Sequence, residues 1–216
     1  MRRDLLTAAI SVVVLTVLLG LLYPLAMTGA SQVIFPSKAD GSKVTLDGKA
    51  IGSSLIGQDF RKPVIGRDGR PETDADGNPV LAADPKYFQS RPSADSYNPS
   101  ATAFSNLGPN SKALRDQIAA NADAYMRLEG PYDSALRRDA VPNDAVQTSA
   151  SGVDPEISID NADIQAHRVA AVRQLPLTRV NALVDQYTDG RDLGVMGDPG
   201  VNVLELNLAL DRESAR

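Results

Sequence analysis

Cysteine is absent from the 216-residue chain, and histidine occurs once, as His167. The absence of cysteine excludes a disulfide framework, a thiolate metal site and a cysteine nucleophile. We expect no catalytic residues, no metal ligands and no cofactor of the chain's own.

Basic residues are also in the minority, because 22 lysines and arginines stand against 27 acidic residues. The net charge is −5, and the basic residues form no stripe with interleaved aromatic side chains. Proteins that bind nucleic acid generally carry such a basic surface. Nucleic acid is therefore not an expected partner.

Two nucleotide-handling motifs are missing as well. The chain has no G-x-x-x-x-G-K-[ST] sequence, whose glycines and lysine cradle the phosphates of a nucleotide. The phosphorylation signature of P-type ATPases, with its aspartate nucleophile, is missing too. We do not expect this chain alone to hydrolyse ATP.

What the sequence does have is a long apolar run near its N-terminus. Residues 5–22 contain no charged side chain and are dominated by leucine, isoleucine and valine. At 1.5 Å per residue the run spans about 27 Å, close to the hydrocarbon thickness of a bilayer. We predict a transmembrane helix over residues 5–23, within an anchor of residues 1–30.

A cleaved signal peptide is the alternative interpretation of this run. Arg2 and Arg3 form a basic start, and residues 28–30 offer small side chains for cleavage. The apolar run is longer than the core of an ordinary signal peptide, which has about 7 to 15 residues. We therefore predict that the anchor is retained.

Arg2 and Arg3 also decide the predicted orientation. Cytoplasmic flanks of membrane helices are enriched in lysine and arginine, and no basic residue follows this helix until Lys38. The N-terminus is expected in the cytoplasm, so residues 31–216 form one extracytoplasmic domain. In a Gram-negative bacterium this single-pass protein sits in the inner membrane with its domain in the periplasm.

The predicted domain is of the α+β class. Asp-Gly turn signals bracket a strand at residues 43–46, and residues 50–60 form a second strand, so a hairpin is expected. Residues 63–84 are rich in proline, glycine, aspartate and asparagine, which predicts a surface loop.

Apolar periodicity and end signals predict helices over residues 111–130, 158–174 and 177–187. Residues 201–210 are predicted to form a strand, because leucines alternate along them. These leucines are Leu204, Leu206, Leu208 and Leu210, and a bulge near Val203 would reconcile them with Val201 and Val203.

Gln165 and Arg168 lie three positions apart on the second predicted helix, a spacing that places them on one face. Such a pair is suited to hydrogen bonding with a partner or an anionic ligand. A solvated helix surface is the ordinary alternative, and the spacing alone favours it.

Two weaker patterns have ordinary explanations. His167 at hydrogen-bonding distance from Ser149 or Ser151 would make part of a Ser-His-Asp set. No G-x-S-x-G or S-x-x-K motif accompanies them, so a surface histidine beside a serine-rich turn is favoured. Residues 74–78 resemble the start of a calcium loop, but the glycine comes too early and no glutamate follows near Pro85, which favours an Asx-type turn.

Several segments, from the membrane helix almost to the C-terminus, resemble the C subunit of the bacterial Kdp potassium-transporting ATPase. Their order and spacing carry the resemblance, with residues 63–84 as an apparent insertion into a shorter family pattern. The segments are Tyr23-Pro24-Leu25, GSSLIGQDF at 52–60, YFQSRPSA at 87–94, Tyr97-Asn98-Pro99, SNLG at 105–108, TSASGVDP at 148–155, the set Gln165, Arg168, Val169 and Ala170, and VNVLELNLALD at 201–211.

The resemblance implies an accessory, non-catalytic subunit of a high-affinity, ATP-driven potassium uptake complex. The implied partners are a channel-like potassium-translocating subunit, a P-type ATP-hydrolysing subunit and a small single-helix subunit. The resemblance also implies a catalytic chaperone role, in which the subunit raises the ATP affinity of the hydrolysing subunit and ATP is met through the complex. The glutamine matching Gln165 is among the family's suggested nucleotide contacts.

The predicted orientation conflicts with a direct nucleotide contact. ATP is cytoplasmic, whereas we expect the domain beyond a hydrocarbon layer about 30 Å thick. We therefore expect the domain to cap the extracytoplasmic side of the potassium-translocating subunit. A free-standing anchored binding protein or hydrolase of the envelope is the alternative.

Small side chains in the predicted anchor would let a partner helix approach closely in lipid. We expect lateral packing through four of them, namely Ala8, Ala9, Ser11 and Gly20.

Overall fold

The computed structural model describes residues 1–191 and 193–214 and confirms the α+β class. The chain divides into two compact units, Met1–Ser53 and Ser54–Arg216. The predicted division at residue 30 therefore falls within the first of these units, and the second unit carries the described core.

The first unit begins with one long helical segment. It consists of α1 (Arg2–Val17), a π-helical turn (Leu18–Leu22) and α2 (Tyr23–Ile34). Arg2–Ile34 is long and apolar enough to cross a membrane by length and composition. The helix is longer than the predicted residues 5–23, since it continues through Pro24, which has no backbone N–H to donate, as far as Ile34.

A short helix and a hairpin complete the first unit. Helix α3 (Pro36–Ala39) precedes strands β1 (Lys43–Leu46) and β2 (Lys49–Ser53), which pair antiparallel. Asp47 and Gly48 both have positive φ, as a tight two-residue hairpin turn requires. The predicted hairpin is confirmed, although its second strand ends at Ser53 instead of continuing to residue 60.

The second unit begins with a hairpin arm where a surface loop was predicted. Strands β3 (Arg61–Pro63) and β4 (Leu81–Ala83) pair antiparallel, and isolated bridges continue the arm outward. The arm is largely exposed, so its surface position is as predicted. The predicted loop also pairs with itself, because turns at Gly69 and Gly77 return the chain.

The three helices predicted in the second unit are confirmed as α4 (Lys112–Glu129), α6 (Ile159–Arg173) and α7 (Leu177–Gln186). Ser111 and Ser158 cap α4 and α6 by accepting backbone N–H groups. A short helix α5 (Asn143–Val146) lies between α4 and α6. Local caps and apolar periodicity were therefore sufficient to predict where these helices lie.

Residues 201–210 do not form the predicted strand. Only β7 (Gly200–Asn202) is extended, and α8 (Val203–Ser214) follows it at once. The side-chain oxygen of Asn202 accepts the backbone N–H of Glu205, which caps the new helix. Val203, Leu206 and Leu210 are fully buried, so their helical spacing decides the fold, and the alternating leucines are coincidental.

The core of the second unit packs helices α6, α7 and α8 against a small sheet. In that sheet β7 lies between β5 (Glu156–Ile157) and β6 (Thr188–Asp189), antiparallel to both. Small side chains let the helices approach closely. The core comprises Phe88, Ile157, Ala162, Ala166, Val169, Ala170, Val180, Leu183, Val184, Val201, Val203, Leu206, Ala209 and Leu210.

Candidate functional site

Gln165 and Arg168 lie on the buried face of α6. Their exposed fractions are 1% and 0%, so the interpretation as a solvated helix surface was wrong. The buried face also carries Ala162, Ala166 and Val169, whose small side chains leave room for the longer polar ones. A buried amide and a buried guanidinium require hydrogen-bond partners within the protein.

The Gln165 side chain binds the backbone of Gln89. Its Oε1 accepts the Gln89 N–H at 2.7 Å, and its Nε2 donates to the Gln89 carbonyl at 3.1 Å. The same Nε2 donates to Asn161 Oδ1 at 2.9 Å, and Oε1 also accepts from Arg168 Nη2 at 2.9 Å. Both donors and both acceptor positions of the amide are therefore in use.

Arg168 is paired with Glu129 of α4. Its Nε lies 3.0 Å from each carboxylate oxygen of Glu129, and both side chains are buried. Its Nη1 donates to the carbonyls of Pro85 and Tyr87. Burial raises the pKa of the Glu129 carboxyl to about 7, although the charge and hydrogen bonds of Arg168 act in the opposite direction.

Asn207 of α8 binds the backbone of Phe88 in the same way as Gln165 binds the backbone of Gln89, the next residue. Its Oδ1 accepts the Phe88 N–H at 2.9 Å, and its Nδ2 donates to the Phe88 carbonyl at 3.0 Å. Residues 85–89 thus form a clamped segment, held by side chains of α6 and α8 instead of a neighbouring strand. The Phe88 ring is fully buried in the core, which fixes the segment from the other side.

The clamped segment leads into one wall of a cleft beside α4. The cleft has a volume of about 620 Å³, and we call it the α4 cleft. One wall is the base of the β3–β4 arm, a second is residues 89–97, and the floor is a stripe of α4. Gln117, Asn121, Ala124 and Leu128 form this stripe at helical spacing.

Charge in the α4 cleft is unevenly compensated. Arg61 forms an ion pair with Asp59 at 2.7 Å. Burial acts to raise the pKa of the Asp59 carboxyl, but hydrogen bonds and charge from Arg61 outweigh it and hold that pKa below its usual value. Arg127 has no acidic side chain within ion-pair distance among the described residues, so the cleft offers one uncompensated guanidinium.

The arrangement is suited to recognition through hydrogen bonds. The Gln117 amide and the Arg127 guanidinium have no hydrogen-bond partner among residues 1–191 and 193–214, and both line the cleft. Within that same part of the chain, no group of histidine, aspartate and glutamate residues is placed to hold a metal ion.

The weaker catalytic pattern is not assembled in the described residues. Ser149 accepts the Gly152 N–H and Ser151 accepts the Val153 N–H, and neither hydroxyl contacts His167. The calcium-like pattern at Asp74 folds as the favoured Asx-type turn, because Asp74 Oδ1 accepts the N–H groups of Asp76 and Asn78.

The four small residues of the anchor lie in the membrane-length helix. Ala8, Ala9 and Ser11 belong to α1, and Gly20 belongs to the π-helical turn. All four are exposed. Their lateral packing against a partner stays a prediction.

Sequence reasoning missed Glu129, Asn207 and Gln89 as parts of the buried network. Asn207 carried a signal, because it is a polar residue inside an otherwise apolar run. Glu129 and Gln89 carried none, since their contacts with α6 join residues 39 and 76 positions apart.

Comparison with known proteins gives consistent matches over both units. A family model described as KdpC, the c chain of a K⁺-transporting ATPase, matches residues 5–212. A Bradyrhizobium diazoefficiens protein named potassium-transporting ATPase KdpC subunit is 45% identical over 216 residues, 100% of each chain. A protein of the same name from Dechloromonas aromatica is 44% identical, with 98% of this chain and 99% of that one covered. Another from Mycobacterium bovis is 42% identical, with 98% and 100% covered.

Proposed function

This chain belongs to the KdpC family of K⁺-transporting ATPase subunits, and we propose that it is the membrane-anchored accessory subunit that caps the extracytoplasmic side of the complex. Its partners in this proposal are the channel-like potassium-translocating subunit, the P-type ATP-hydrolysing subunit and the small single-helix subunit. The chain contributes to assembly and to potassium access, and hydrolysis of ATP takes place on another subunit.

The apolar N-terminal helix, preceded by Arg2 and Arg3, is the observation that carries this proposal. A helix of this length and composition retains the chain in a bilayer, and its basic flank keeps the N-terminus in the cytoplasm. The second unit then lies outside the cytoplasm, on the side from which potassium enters an uptake system.

The α4 cleft supports a docking role for the second unit. Arg127 and Gln117 present free donors there, whereas the charge of Arg61 is already paired with Asp59. Uncompensated donors in a cleft suit the carbonyl and carboxylate groups of a partner's extracytoplasmic loop. We assign the cleft to contact with the potassium-translocating subunit.

The catalytic chaperone role is a separate part of the proposal. Direct binding of a nucleotide by Gln165 would require its present hydrogen bonds to break. The Gln165 amide is buried and bonded on every side, so a nucleotide could reach it only after Gln89 is released. An effect on ATP affinity is therefore assigned to the assembled complex, transmitted through subunit contacts and not through a nucleotide held by Gln165.

Co-purification tests the proposal. The chain carrying an affinity tag is expressed with the other potassium-transport subunits, and the purified material is assayed for potassium-stimulated ATPase activity. We expect the ATP-hydrolysing and potassium-translocating subunits to be recovered together with that activity. A chain that purifies alone, or ATPase activity that does not depend on it, would support the free-standing envelope protein instead.

Paired variants on α4 sharpen this test. Arg127→Glu reverses the free charge in the cleft and should lower recovery of the complex. Arg115→Glu makes the same change at an exposed position of the same helix outside the cleft, and recovery should match that of the unmodified chain. Equal recovery of both variants would remove the cleft from the interface.

A further inference from the structure

The π-helical turn Leu18–Leu22 changes the backbone hydrogen bonding of the membrane-length helix. The N–H of Tyr23 bonds to the carbonyl of Leu18, five residues back, instead of the carbonyl of Leu19. The next residue is Pro24, which has no N–H to donate. The carbonyl of Leu19 has therefore lost both donors that a helix could supply, from the fourth and the fifth residue after it.

In the proposed membrane-anchored chain this carbonyl lies in an apolar environment. At 1.5 Å per residue Leu19 is about 21 Å along the helix from Leu5. That position is inside a hydrocarbon layer about 30 Å thick, where lipid chains offer no donor. Backbone groups at this depth are satisfied by neighbouring helices or by side chains, since an unsatisfied carbonyl in lipid is strongly unfavourable.

Gly20 leaves the carbonyl approachable. A Cβ atom at Gly20 would meet only the Thr16 methyl group, at 3.8 Å, which is an ordinary contact. The helix itself therefore does not require glycine at this position. The missing side chain instead opens the peptide between Leu19 and Gly20 to a second helix.

We propose that the Leu19 carbonyl accepts a hydrogen bond from a hydroxyl or amide side chain on a transmembrane helix of another subunit, packed against Gly20. The inference rests on the proposed function, because it needs a membrane partner. It adds to small-residue packing a specific polar contact, whose acceptor has no donor within its own helix where the π-helical turn meets Pro24. Hydroxyl and amide donors across helix interfaces are a recognised source of stability in lipid.

Carbonyl chemical shifts in the assembled complex test the contact directly. Labelling with ¹³C-carbonyl leucine and ¹⁵N glycine selects Leu-Gly pairs, of which the chain has three, at Leu19, Leu107 and Leu193. We expect the Leu19 carbonyl signal to move downfield when the full chain in lipid joins its partners. A signal already downfield in the chain alone, and unchanged in the complex, would mean that water or lipid supplies the donor and would overturn the proposal.

Three variants of the full chain separate the hydrogen bond from simple packing. Pro24→Ala restores an N–H that the carbonyls of Leu19 and Gly20 can accept, without adding bulk at Gly20, and we expect at least threefold lower recovery of the complex. Gly20→Leu should lower recovery at least fivefold. Gly29→Leu makes the same change at a glycine with open space around it, and recovery should stay within twofold.

The outcomes separate this inference from the proposed function. If Gly20→Leu alone lowers recovery, the helices pack through a small residue without the hydrogen bond, and the inference is wrong. If Pro24→Ala and Gly20→Leu both assemble normally, the inference also fails while the proposed function stands. If the unmodified chain forms no complex, both fail together.

Discussion

Removal of the Gln165 amide is the sharpest perturbation of the second unit. Gln165→Ala leaves the N–H and carbonyl of Gln89 without their partners and takes one acceptor from Arg168. Asn161 keeps a partner, because its Oδ1 also accepts from Tyr125 at 2.8 Å. At about 1–3 kcal/mol for each of the two Gln89 backbone groups left unsatisfied, the expected loss is about 2–6 kcal/mol. That is a large share of an ordinary stability of about 5–15 kcal/mol.

Urea unfolding of the full chain in detergent, followed by tyrosine fluorescence, measures this loss. Gln147→Ala is the matched control, because Gln147 is exposed and its truncation should change the free energy of unfolding by less than about 0.5 kcal/mol. If Gln165→Ala loses no more stability than Gln147→Ala, the clamp does not hold the segment of residues 85–89 and the reasoning is refuted.

Three further predictions concern pH, backbone contact and the hairpin arm. Because the Glu129 pKa is raised to about 7, the folded chain holds this proton more tightly than the unfolded chain. The free energy of unfolding should therefore fall as pH rises from about 5 to about 8. In Glu129→Gln, urea titrations at several pH values should show a smaller fall of this free energy with pH. The same pH dependence in both proteins would contradict this. A Cβ at Gly57 would lie 2.4 Å from the backbone oxygen of Asp154, so Gly57→Ala should lower stability by about 1–3 kcal/mol. Gly108→Ala, with nothing within 4 Å, is its control in the same unfolding assay, and equal losses would contradict the clash. Replacing residues 65–79 with a two-residue turn should leave the recovery of the complex unchanged, because the arm is exposed; a marked loss would give the arm a role in assembly.

The elements that local chemistry specifies could be predicted from the sequence. Ser111 and Ser158 cap their helices with their own side chains, and the apolar spacing after each cap is helical. The turn at Asp47 and Gly48 likewise predicts the β1–β2 hairpin within a few residues. Each of these signals lies inside the element that it predicts.

The predictions that the structure contradicts share a different cause, which is contact between residues far apart in the sequence. Whether Gln165 is solvated or buried depends on Gln89, which is 76 positions away. The helix at residues 203–214 wins over a strand because Val203, Leu206 and Leu210 meet a core formed by α6 and α7. The alternating leucines carry no information about that surface. Asn202 followed three residues later by Glu205 is a helix-start signal that the strand prediction did not consider.

Topology of the second unit tests the central claim most directly. The chain has no cysteine, so a single introduced thiol reports its own position without background. Ser100 is the better site, because it is exposed whereas the Ser93 hydroxyl bonds to the Gly152 carbonyl. With Ser100→Cys, a membrane-impermeant maleimide should label intact cells, and with Asp4→Cys it should label only permeabilised ones. Labelling of Ser100→Cys only after permeabilisation would place the second unit in the cytoplasm and contradict the account.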